Sequence, residues 1–148
     1  MLTSEPRPGL VIRYAYLWRN EVLRGQEEGK DRPCAVVLAV RSEAGRLLLY
    51  VAPITHSPPT DMKYAVELPP ETKRRLGLDA QPSWVKTDDL NVFTWPGPDV
   101  RPVGRGQGFA YGFLPKAMMI DVLDGIRQSI RDGRAKAVNR DVAVKAEE

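Results

Sequence analysis

The stretch GKDRPCAVVLAV, Gly29 to Val40, decides how the chain is read. A glycine and three charged residues lead into Pro33, and everything from Cys34 to Val40 is apolar. A short apolar run rich in β-branched residues and opened by turn formers is a buried central strand. Proline is tolerated at the first residue of a strand, so Pro33 marks the entry and Arg32 is expected at the mouth of the preceding loop. A guanidinium fixed there is permanently charged and shaped to grip an anion such as phosphate through two donors. The alternative is a solvated arginine flanking a strand.

Outward from this run the signals are mainly those of strands. Leu10 to Leu17 mixes β-branched and aromatic residues and is expected as a strand, after a loose arm at Met1 to Pro8. Trp18 to Asp31 is polar and is expected as a long loop, of a length that is uncommon without a function. Leu47 to Val51 resumes a strand after the turn residues Glu43-Ala44-Gly45, giving a hairpin. Prolines 58 and 59 end the chain's extension, which leaves Thr55 and His56 at a strand end. Tyr64 to Leu68 alternates as a further strand, and Glu71 to Leu76 is a short helix opened by Pro69-Pro70 and stopped by Gly77.

Further along, Trp84–Lys86 and Leu90–Phe93 are expected as one strand with a polar break at Thr87-Asp88-Asp89. Trp95 to Pro98 is a turn, and the glycine- and proline-rich stretch to Gly108 is an exposed loop. Leu114-Pro115-Lys116 is expected to begin a helix, with proline near its first turn, that runs to about Arg131 and stops at Gly133. Apolar Met118, Met119, Val122, Leu123, Ile126 and Ile130 recur along it at spacings of three and four, the mark of an amphipathic helix. Short strands followed by one helix predict a mainly β fold, a small barrel with a C-terminal helix. One domain over 1–133 is expected, with a charged, flexible tail over 134–148 that folding does not need.

The totals restrict the class. With 148 residues, 43% hydrophobic and 28% charged, the chain is an ordinary globular protein large enough to bury a core. A net charge of +3 permits a polyanionic partner without requiring one. The single cysteine excludes an internal disulfide and fits a reducing compartment. No apolar run approaches the roughly 20 residues that span a bilayer, and the N-terminus lacks a signal-peptide core, so the cytoplasm is the expected location and no membrane is involved.

Arg32-Pro33 before an apolar strand and Ala52-Pro53-Ile54-Thr55 closing the next hairpin resemble the MazF/PemK toxin family. The resemblance continues through Val66-Glu67-Leu68-Pro69, Lys86-Thr87-Asp88-Asp89-Leu90 and Phe113-Leu114-Pro115, in order, over roughly Pro8 to Ile130. It implies an SH3-like barrel related to CcdB, usually a homodimer, that cleaves single-stranded RNA without a metal or cofactor and is restrained by a cognate antitoxin. The family's catalytic arginine falls on Arg32 and its threonine on Thr55. The chain departs from the family in carrying Gln26-Glu27-Glu28-Gly29, with an extra residue before Arg32, and in an added Lys73–Ser83 segment.

The chemistry that the resemblance implies can be checked against residue types. In metal-free RNA cleavage the 2′-hydroxyl attacks phosphorus and expels the 5′-oxygen, which needs an acid, a base and positive charge on the phosphorane. Arg32 supplies the charge and Thr55 a hydroxyl donor. His56, the one histidine, is the acid–base candidate by its ordinary pKa, with Glu27 and Glu28 as rival bases. Each of the three is otherwise a solvated loop residue. For binding unpaired bases, Trp18, Arg19, Arg24 and Lys30 offer an aromatic plane among cations, although Trp18 can equally pack on the barrel. No glycine-rich phosphate loop and no paired Cys/His metal spacing occurs. A noncatalytic member of the same fold, inhibiting a protein target such as gyrase, is the alternative.

Overall fold

The computed structural model describes residues 6–104 and 108–141. The chain runs β1 (Leu10–Tyr16), α1 (Arg19–Leu23), β2 (Lys30–Arg41), β3 (Leu47–Thr55), a 3-10 turn (Met62–Tyr64), β4 (Ala65–Glu67) and α2 (Pro70–Leu76). It continues through β5 (Trp84–Lys86), β6 (Asp89–Thr94), β7 (Val100–Arg101), β8 (Ala110–Phe113), α3 (Lys116–Arg131) and β9 (Lys136–Asn139). The mainly β architecture with a C-terminal helix is as expected.

The nine strands form one sheet along the path β4-β5-β3-β2-β1-β7, with β6 beside β3, β8 beside β1 and β9 beside β6. Every pairing is antiparallel except β6 with β9. Cys34 to Val37 of β2 is buried on both faces, which is why it does not alternate with polar residues. The rest of the expected buried run is corrected: Leu38 and Val40 are exposed. Cys34 and Val36 face one core with Ile12, Tyr14, Leu49 and Phe93. Ala35 and Val37 face another, roofed by Met118, Met119, Val122 and Ile126 of α3. Burial pushes the Cys34 thiol far above its ordinary pKa, so it behaves as a small hydrophobe.

Several expectations are corrected. The loop expected over Trp18–Asp31 contains α1, whose first turn is closed by Glu21 Oε1 accepting the Trp18 N–H at 2.9 Å. Lys30, Asp31 and Arg32 belong to β2, opposite Tyr16, Ala15 and Tyr14 of β1. Pro33 is therefore inside the strand; the ladder to β3 ends at Cys34 opposite Pro53, so the prolines of both strands stand at its margin. The chain can turn back beside β1 because residue 29 is glycine: a Cβ there would lie 2.5 Å from the Tyr16 carbonyl oxygen.

Trp84–Lys86 and Asp89–Thr94 are two strands, not one, since β5 pairs with β4 and the end of β3 while β6 pairs with the start of β3. The expected flexible tail is also corrected over residues 136–141. β9 pairs with β6, Val138 and Arg140 are buried, and Asp141 accepts from Thr94 N–H and O–H. Residues 142–148 lie outside the described residues. Among the described residues no helix is long and apolar enough to cross a membrane.

Candidate functional site

The end of β2, the end of β3 and β5 meet at one point. The register Cys34 opposite Pro53, carried two residues further, sets Arg32 opposite Thr55. Thr55 in turn pairs with Trp84, and Lys86 lies two residues beyond on the same face of β5. Arg32, Thr55 and Lys86 line a cavity of about 300 Å³ whose walls also include Trp18, Ser57 and Thr60.

Its electrostatics are one-sided. Arg32 and Lys86 line it and no carboxylate does. Lys86 Nζ keeps a partner outside the lining at 3.5 Å, Asp88 Oδ1. The Arg32 guanidinium carbon sits 5.4 Å from the centre of the Trp18 ring, within cation–π range. Its Nε is buried with no hydrogen-bond partner among the described residues. A buried donor without an acceptor is costly, and an anion in the cavity would supply one. Thr55 is buried, and its Oγ1 accepts the Ser57 N–H at 3.1 Å. With an acceptor site so occupied, the hydroxyl proton is left to point elsewhere, and a phosphate oxygen is a suitable acceptor.

The structure brings together three of the residues singled out in sequence, Trp18, Arg32 and Thr55. It does not place the others in the cavity. His56 follows Thr55 and so turns to the opposite face, where its Nε2 lies 2.8 Å from Asp79 Oδ2. Asp79 is also bound by Lys73 Nζ at 2.9 Å, and the Lys73 ammonium, then His56, hold its carboxyl down to about 2. Glu27 and Glu28 are exposed before β2 and do not line the cavity, nor do Arg19, Arg24 and Lys30, which are exposed around it. Lys86, Ser57 and Thr60 were missed. Lys86 could have been found from period-2 alternation, because Val85 is fully buried and its neighbours must face the other way.

A protein-family model described as "PemK-like, MazF-like toxin of type II toxin-antitoxin system" matches residues 11–130. The chain belongs to this family. It is therefore a toxin of the type II toxin–antitoxin class, whose members are paired with an antitoxin. No curated protein matches the chain in a sequence search. The match to the PemK-like toxins ends at residue 130, so β9 and Arg140 lie beyond the segment it covers. Among the described residues no group of three or more His, Cys, Asp or Glu side chains is placed to hold a metal ion.

Proposed function

We propose that this toxin is an endoribonuclease that cuts single-stranded RNA through its own side chains, without a metal. The observation that carries the reading is the cavity in which the partnerless Nε of Arg32, the Thr55 hydroxyl and the Lys86 ammonium converge with no carboxylate among them. Such a site fits a scissile phosphate. Arg32 and Lys86 offset the charge that grows on the phosphorane as the 2′-hydroxyl attacks, and Thr55 donates to a non-bridging oxygen. The 2′-hydroxyl passes its proton to solvent water as its oxygen bonds to phosphorus. The P–O bond to the 5′-oxygen breaks, and water returns a proton to that oxygen, leaving a 2′,3′-cyclic phosphate and a 5′-hydroxyl. Catalysis by preorganised donors requires that they be fixed before substrate arrives, and Arg32 and Thr55 are fixed by adjoining strands.

Bases on either side of the cut need stacking planes and cations. Trp18 at the cavity wall provides the plane, and the exposed Arg19, Arg24 and Lys30 provide charge for the flanking phosphates. The working unit is a homodimer in the cytoplasm, held inactive by its antitoxin. The decisive experiment incubates the purified toxin with a long single-stranded RNA, with and without EDTA, and maps the 3′ ends. Cyclic-phosphate ends in both arms are expected. No cleavage in either arm would sink the nuclease reading and leave inhibition of a protein target as the better account.

A further inference from the structure

Trp18 owes its place beside Arg32 to a pair of buried side chains on β6. Asp89 and Asn91 stand two apart on one face of that strand, with 8% and 0% of their surfaces exposed. They reach across to the corner where β1 passes into α1. Asp89 Oδ1 accepts the Tyr16 hydroxyl, and its Oδ2 accepts the Arg19 N–H at 3.3 Å. Asn91 Oδ1 accepts the Leu17 N–H at 3.0 Å while its Nδ2 donates to the Leu17 carbonyl at 2.8 Å. Both chain neighbours of Trp18 are thus tied to β6. The Tyr16 ring, held by the same carboxylate, meets the indole edge-on with centroids 5.3 Å apart.

A buried carboxylate costs free energy unless it is well partnered, and a Leu or Val at position 89 would fill the space more cheaply. What the carboxylate gives here is geometry. It has two oxygens and spends them on the two residues that bracket the indole facing Arg32. We propose that Asp89 is a positioning residue for RNA cleavage, acting through Tyr16 and Trp18 to hold the Arg32 guanidinium in line with the scissile phosphate. This rests on the nuclease reading of the site. Asp89 itself does not line the cavity and touches no substrate.

The test uses the full chain in a Trp84→Phe, Trp95→Phe background, so that Trp18 is the sole fluorophore, with a single-stranded RNA transcript as substrate. Asp89→Ala is expected to lower kcat by about tenfold or more, with KM changed less than about threefold, since displacing a catalytic group by about 1 Å can cost up to about 10²-fold. It is also expected to shift Trp18 emission to longer wavelength and raise its quenching by acrylamide. Asp89→Asn, whose amide can accept from Arg19 and donate to the Tyr16 oxygen, should restore most of both. Should Asp89→Ala not fold, Tyr16→Phe carries the same comparison, because it removes the phenol's bond alone. Cleavage by the parent protein with kcat and Trp18 emission both unmoved in the folded variant overturns the positioning role. A loss of kcat with unmoved emission overturns it too. A parent that cuts no RNA fails the nuclease reading instead, and the inference falls with it.

Discussion

Arg140 reaches back across most of the chain to donate from Nη1 to the Ala15 carbonyl at 2.7 Å, while its Nη2 lies 3.2 Å from Asp99 Oδ2. It is 6% exposed. A buried guanidinium just past β9 therefore braces the same β1 corner that β6 holds, its Nη1 also lying 3.4 Å from Asn91 Oδ1. Arg140→Ala removes one partner of a buried ion pair and leaves Asp99 and the Ala15 carbonyl short of a donor, a loss of about 3–5 kcal/mol. For a chain of this size, about 2–4 °C per kcal/mol applies, so a fall of roughly 6–20 °C in Tm is expected. Truncation after Gly133 should do at least as much, because it also removes the β6–β9 ladder. Calorimetry of the two variants checks this, and a Tm within about 2 °C of the parent would show the segment to be dispensable.

Arg32→Ala should lower RNA cleavage by at least about 10²-fold with little change in the melt, as expected for loss of a preorganised charge donor. Thr55→Val should cost about tenfold, the scale of one hydrogen bond. Lys86→Met should fall between them, since its charge is shared with Asp88. Initial rates on one RNA transcript rank the three. An Arg32→Ala protein as active as the parent would remove the basis of the mechanism.

His56→Gln is expected to leave cleavage within about threefold of the parent, far less than the 10²–10⁴ that losing a general acid or base costs. The reason is geometric: position 56 faces Asp79, on the other side of the strand from the cavity. A loss beyond about 10²-fold, with a pH profile missing one limb, would return His56 to the mechanism.

What could be read from sequence and what could not divide along physical lines. The core of β2 was legible as a short unbroken apolar run opened by turn formers, and the stripe of α3 because burial of one helix face imposes a period that a few residues reveal. The meeting of Arg32 with Thr55 followed from a hairpin whose two ends must lie together. β9 was not legible: four residues of which Val138 alone is buried carry no period, and the strand forms only because the edge of β6 is there to pair with it. The same holds for α1, which buries none of its five residues and depends on Glu21 and on the Asp89 contact to Arg19. The side on which His56 lies was derivable from strand alternation, whereas its partner Asp79 belongs to a segment 23 positions away.

Asp79 makes stability depend on acid pH. Its folded carboxyl sits near 2, below the ordinary value of about 3.9, because the Lys73 ammonium favours the charged form. A depressed acid contributes stability that is present above its unfolded pKa and is lost as pH falls through the folded one. The parent should therefore lose Tm between about pH 4 and pH 2 more steeply than Asp79→Asn does. The difference should be modest, because half of the Asp79 side chain is open to solvent. Parallel Tm curves over this window would mean the pair contributes nothing.

Self-association should use a surface that shares no residue with the cavity's lining. Met118, Met119 and Ile126 of α3 are spent inside, against the sheet, and so cannot serve as a dimer face. What remains open is a shallow apolar depression of about 330 Å³ where α3 crosses the sheet, lined among others by Leu38, Tyr50, Leu90, Leu123 and Ile130. Leu38 and Ile130 are 47% and 61% exposed, and Val40 next along β2 is 40% exposed. Burying such a side chain is worth about 1.5–3 kcal/mol, and a two-fold axis counts each one twice. Sedimentation at micromolar concentration should therefore give about twice the 16.6 kDa chain mass. Ile130→Glu or Leu38→Asp should return the monomer, because a charge on this patch meets its own copy across the axis. Leu23→Glu, at a residue 71% exposed on α1 and outside the depression, should leave the dimer intact. A parent that sediments only at 16.6 kDa rules out the dimer, and dissociation by Leu23→Glu alone moves the interface to α1.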